Sequence, residues 1–154
     1  MVIIESTPEF VSQTYTKMDH TLELVRDKLK RPLTLADKIL LGHLENVSIQ
    51  NMEIGKSYLS LKPDRVALQD VLGQTVMLSF MQTMKSQTSV PTTVHCDHLI
   101  QARSEGKRDL KESIEENREV YDFLRTASAK FGVGFWGPGA GIRYQVMLEQ
   151  HAFP

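Results

Sequence analysis

The chain has 154 residues, 41% hydrophobic and 24% charged, which is enough for one domain with its own core. Eighteen basic residues against 19 acidic ones leave a net charge of −1, so no basic field points to nucleic acid or to an anionic membrane. No apolar run approaches the roughly 20 residues of a membrane-spanning helix, and the lone Cys96 excludes an internal disulfide and fits a reducing compartment.

The opening MVIIESTPEF carries two acids and no arginine, so it does not read as a transit or signal peptide. In SQTYTKMDHTLELVRDKLKR, Met18, Leu22, Val25 and Leu29 fall at helical spacing, with bases gathered at the end and Pro32 as the stop. TLADKILLGHL predicts a short helix with Thr34 as N-cap and Asp37 three residues on. SYLSLKPDRVALQ alternates apolar and polar residues around a Pro-Asp turn, a strand signal.

QDVLGQTVMLSFMQTM predicts the clearest helix, capped by Asp70, with Leu72, Val76, Phe80 and Met84 on one stripe and Val71 and Met77 beside it. Core filling is the expected role of Met77, Met81 and Met84. VPTTVHC reads as a short strand, and KRDLKESIEENREVYDFLRTASAKF as one long amphipathic helix whose charged half is a solvated face. GVGFWGPGAGI reads as a loop and RYQVMLEQHAF as a last helix. Helices alternating with short strands give an α/β class. The strands are few, and no strand follows the last helix, so the pattern is part of an α/β domain, with short parallel-type strands and flanking helices.

The densest chemistry lies in HCDH, residues 95–98. In an extended strand His95 and Asp97 share one face and Cys96 and His98 the other, so the four cannot grip one metal, and the pair spacings of zinc sites are absent. With Asp97 and His98 in the loop after the strand, a carboxylate beside an imidazole fixes its tautomer for proton transfer. The alternative is a structural histidine satisfied by local backbone. GVGFWGPGAG fits neither the G-x-G-x-x-G fingerprint nor a P-loop, and reads as a loop near a packed Trp136. Gln69, at the end of RVALQD, is a cap or surface residue unless it faces the crevice of Asp97 and His98.

Taken together, RPLTLADKILLGHL, YLSLKPDRVALQD, VPTTVHCDHLIQA, NREVYDFLRTASAKFGVGFW and GIRYQVMLEQHAFP resemble, in order, the N-terminal domain of aconitase, the iron–sulfur hydro-lyase, in its mitochondrial branch. The resemblance runs from about residue 14 to the end. It implies an N-terminal extension over residues 1–13 and an aconitase-type domain over 14–154, incomplete at its C-terminal end. It also implies interconversion of citrate and isocitrate through cis-aconitate and a mitochondrial location, although no transit peptide is read. Gln69 then contacts the substrate, and Asp97 and His98 handle the hydroxyl that leaves as water.

The same resemblance implies a [4Fe–4S] cluster held by three downstream cysteines, its open iron a Lewis acid, and a distant serine as base. Cys96 matches none of the three, and one cysteine cannot supply three thiolates, so the expectation is that this chain alone binds no cluster and is inactive. Within the matched region, Tyr144 stands where the family usually has an active-site histidine, three residues after Gly141, and Ala140 where it commonly has a serine. A phenol is an uncharged donor at neutral pH where an imidazole shuttles protons. His151 lies too far along to replace it.

These departures keep a second expectation open, a diverged, non-catalytic structural or interaction subunit with a protein partner covering the truncated face. A third, RNA binding as in cytosolic relatives, lacks the basic field it needs.

Overall fold

The computed structural model describes residues 3–103 and 105–152. Their contacts separate two compact units: Thr7–Asp64, and the residues up to Ser6 together with those from Arg65 onward.

The Thr7–Asp64 unit is built on α1 (Pro8–Leu29) and α2 (Leu35–Leu41). α1 starts four residues earlier than the sequence periodicity suggests, because Thr7 caps it, accepting a hydrogen bond from Phe10 N at 3.2 Å, and Pro8 opens the first turn. It ends before Pro32 is reached. Lys30 turns into the left-handed region at φ 51°, and its N–H closes on the Arg26 carbonyl.

α2 begins with the capping box read in the sequence. Asp37 N donates to Thr34 Oγ1 at 3.1 Å, and Thr34 N donates to Asp37 Oδ2 at 2.9 Å. The Arg31 guanidinium forks onto the same carboxylate at 2.8 and 3.0 Å, and holds it well below the usual carboxylate range with help from Thr34. Leu22, Val25, Leu41, Leu44 and Val47 form this unit's core. Lys28 Nζ donates to the carbonyls of Val47, Ser48 and Gln50, tying the following loop to α1.

The second unit is a three-stranded parallel sheet in the order β1 (Val66–Gln69), β2 (Thr92–His95), β3 (Gly134–Trp136). Val66 pairs with Thr92 and Gln69 with His95 on one side of β2, and Thr93 pairs with Gly134 and His95 with Trp136 on the other. α3 (Asp70–Gln82) connects β1 to β2, and α4 (Gly106–Glu116) and α5 (Arg118–Phe131) connect β2 to β3. A short α6 (Arg143–Val146) runs on into a π-helical turn, Met147–His151. This is the α/β class read from the sequence, with parallel strands and flanking helices.

Three local expectations are corrected. First, the Gly-rich stretch read as a loop contains β3. Its glycine is needed for packing: a Cβ on Gly134 would sit 2.6 Å from the Trp136 ring and 3.2 Å from Thr93. Second, the long helix over 107–131 is two helices, broken at Asn117, which leaves helical angles at φ −107°, ψ 23° while its Nδ2 donates to the Ser113 carbonyl.

Third, α3 buries a different face from the stripe of its sequence. Leu72 and Met84 are 61% and 90% exposed, whereas Met77 is buried and Phe80 packs partly under it. Gly73 sets that rotation. The place of its missing side chain lies 3.6–3.8 Å from Leu124, Leu68 and Val94, so the helix rests closely on the sheet there. The core so formed joins Met77, Val94, Cys96, Tyr121, Leu124 and Phe131, with Phe80 edge-on to Phe131 at 5.3 Å.

Substitution separates the two faces. Leu124→Ala, at a fully buried position, is expected to lower unfolding free energy by about 2–5 kcal/mol in chemical denaturation. Leu72→Ala, on the exposed face, is expected to change it by under about 0.5 kcal/mol.

Candidate active site

Because the three strands are parallel, their C-terminal ends lie along one edge of the sheet, where open α/β sheets carry their ligands. β1 delivers Gln69 and then Asp70, β2 delivers His95 and the residues after it, and β3 delivers Trp136. Cys96 N donates to the Trp136 carbonyl at 2.9 Å, extending the ladder by one step. Past that point the strand alternation stops, so Asp97 and His98, neighbours in sequence, meet in space.

Asp97 Oδ1 lies 2.8 Å from His98 Nδ1. The other oxygen of Asp97 accepts from Arg143 N at 2.9 Å, so the carboxylate is pinned by the first residue of α6. Asp97 is largely buried, while His98 is about one-third exposed and can be reached from outside.

Asp70 is the member of this group that sequence reading took for a helix cap. The N-cap is Gln69, whose Oε1 accepts from Val71 N at 3.3 Å, and Asp70 is the first residue of α3. Asp70 Oδ1 lies 3.5 Å from His98 Nδ1. Its Oδ1 also accepts from Val71 N at 3.1 Å, and its Oδ2 accepts from Leu99 N at 3.3 Å. The signal available in the sequence was its place, directly after Gln69 at the same strand end.

One oxygen from each of Asp70 and Asp97 and Nδ1 of His98 lie within 4.8 Å of one another. The ring nitrogen faces both acids, and the acids are further engaged by backbone N–H groups. Two carboxylates and an imidazole thus converge on one point of the strand-end edge.

The other residues of the HCDH stretch go elsewhere. His95 is fully buried, its Nε2 2.8 Å from Thr93 Oγ1 and its ring stacked on Trp136 at 5.0 Å. Burial pushes its pKa down to about 4; His151 and Arg143 add to the effect and Asp97 opposes it. His151 packs edge-on against the other side of the pairing, 5.2 Å from Trp136, and burial and Arg65 lower its pKa while Glu5 opposes.

Cys96 sits in the core beside Val94 and Leu124. Burial, with Asp70 and Asp97 nearby, pushes its thiol up to about 12. A thiol held protonated in a closed core does not fit the thiolate that an iron–sulfur cluster requires.

Tyr144 is 68% exposed, with the Arg143 guanidinium 4.5 Å from its ring centroid. It is adjacent to the residue that anchors Asp97 but is turned to solvent. The loop before it is tight: Ala140 N donates to the Gly137 carbonyl at 3.0 Å, and Gly139 and Gly141 take φ of 87° and 115°, which suits residues without a Cβ. No hydrogen bond joins Gln69 to Asp97 or His98 among the described residues; the three share a sheet edge.

A carboxylate–imidazole cluster at the strand ends of a small parallel sheet marks an α/β protein whose polar groups gather at the sheet's C-terminal edge. The chain belongs to the aconitase family, whose model, described as the aconitase family (aconitate hydratase), matches residues 37–154. It is 52% identical over 140 residues to the probable mitochondrial aconitate hydratase of Caenorhabditis elegans, and equally so to the mitochondrial aconitate hydratases of Emericella nidulans and Saccharomyces cerevisiae. Each alignment covers 91% of this chain and 18% of the relative, so the chain spans about a fifth of the length of these relatives.

The buried imidazoles make the fold acid-sensitive. Depressed values for His95 and His151 mean that the folded state prefers both rings neutral. Their contribution is complete above the ordinary imidazole value of about 6.5 and is lost as pH falls, for His95 toward about 4. Chemical denaturation monitored through Trp136 is expected to show stability falling across that window, and less steeply in His151→Phe. A flat profile would contradict the assignment.

Proposed function

We propose that the chain is the N-terminal part of a mitochondrial-type aconitate hydratase, acting within the whole protein on citrate and isocitrate through cis-aconitate. The observation that carries the reading is the 2.8 Å contact of Asp97 with His98 at the strand ends. It occurs in a chain 52% identical to relatives named mitochondrial aconitate hydratases, which also supports a mitochondrial location.

In this reading His98 turns Nδ1 to the carboxylates and presents Nε2 to the substrate. In dehydration the imidazolium gives a proton to the substrate hydroxyl oxygen as the C–O bond breaks, and water leaves. In hydration the neutral ring takes a proton from the incoming water. Asp97 holds the ring, its Oδ1 2.8 Å from Nδ1. Gln69 commits Oε1 to the start of α3, which leaves its amide N–H donors for a substrate carboxylate.

The proton on the neighbouring carbon needs a base that these residues do not supply. The [4Fe–4S] cluster of the family likewise needs cysteines other than Cys96, so this chain alone binds none and is inactive. Tyr144 retains a hydrogen-bond donor where the family has an imidazole, and a slower enzyme is the consequence.

The test uses the full-length protein that carries this sequence, assayed by the ultraviolet absorbance of cis-aconitate. His98→Asn is expected to lower kcat by about 10²–10⁴-fold with KM little changed, and Tyr144→His to raise kcat. An undiminished rate in His98→Asn would sink the assignment of His98.

A further inference from the structure

The proposed chemistry uses Asp97 and His98, but a second carboxylate lies against the same ring nitrogen. Acids in the first turn of a helix are ordinarily solvated, where they complement the helix dipole. Asp70 is fully buried instead. A buried carboxylate must be matched by donors. Those of Asp70 are Val71 N and Leu99 N, and His98 Nδ1 lies 3.5 Å away.

Asp97 alone does not settle the direction of the ring. Its Oδ1 lies 2.8 Å from Nδ1 and Asp70 Oδ1 lies 3.5 Å from Nδ1, neither in a well-aligned hydrogen bond to the ring, and Asp97 Oδ2 is committed to Arg143 N. Asp70 approaches from the neighbouring strand end and engages Leu99 N, one residue past His98. One side chain from the β1 turn thereby engages the backbone of the β2 turn and lies beside the ring.

We infer that Asp70 is a positioning residue: with Asp97 it keeps the Nδ1 of His98 protonated, so that Nε2 is the nitrogen offered to the substrate. A neutral imidazole has one N–H, and acceptors on Nδ1 from two directions place it there. This inference rests on the reading of Asp97 and His98 as an acid–base pair and extends it.

The test is the tautomer of His98, read by long-range proton–nitrogen correlation on the ¹⁵N-labelled full-length protein that carries this sequence, at a pH well above the imidazole range. The wild type is expected to show a protonated Nδ1. Asp70→Asn keeps an oxygen acceptor for Leu99 N but loses the charge. It is expected to shift His98 to a mixture of tautomers while leaving the Leu99 amide signal and the melting temperature in place. In Asp97→Asn, where Asp70 is the remaining carboxylate at Nδ1, the protonated Nδ1 is expected to persist.

An unchanged tautomer in Asp70→Asn, or its loss in Asp97→Asn, overturns the inference. Should Asp70→Asn not fold, Asp97→Asn decides alone. Because this readout does not depend on turnover, a failure of the hydratase reading, seen as an undiminished rate in His98→Asn, is distinguishable from a failure here.

Discussion

The candidate site depends on β2, a four-residue strand buried between two parallel neighbours. Its two faces do different work. Val94 and, one step beyond, Cys96 enter the core made with α3 and α5. Thr93 and His95 turn toward Trp136, and His95 stacks on its ring. With both faces committed, β2 has one register in which its end can present anything. Sliding it by one residue would exchange a buried imidazole for a core valine. The meeting of Asp97 and His98 follows from that fixed end, and Asp70 and Arg143 reach them from the elements on either side.

What could be read from the residues follows the range of the interactions involved. The capping box of α2 involves Thr34 and Asp37, three positions apart, and was legible in full. The pairing of Asp97 with His98 needed only a strand ending at the right place. The buried face of α3 was not legible, because Val71, Leu72, Val76, Met77, Leu78 and Phe80 surround the helix with apolar side chains and periodicity has little to choose between. A missing side chain at Gly73 decides which face approaches the sheet. β3 was hidden for a related reason, since its glycine signals a loop locally and is required by the Trp136 ring in three dimensions. Asp70 looked like a cap because its engagement with Leu99 and His98 is formed across the fold.

Membership of the aconitase family and the chemistry of this chain are separate matters. The strand-end cluster brings two carboxylates and an imidazole together, while the one cysteine is a buried core residue. Tyr144, being exposed, lies outside the buried network that organises Asp97. A change there leaves the scaffold beneath it intact. The two buried histidines, by contrast, pack around Trp136.

The most direct measurement is a crystal structure of the full-length protein with citrate or isocitrate bound. The account predicts His98 Nε2 within about 2.6–3.2 Å of the substrate hydroxyl that leaves, with Nδ1 still against Asp97. A complex in which that hydroxyl meets another side chain, with His98 turned away, would contradict it.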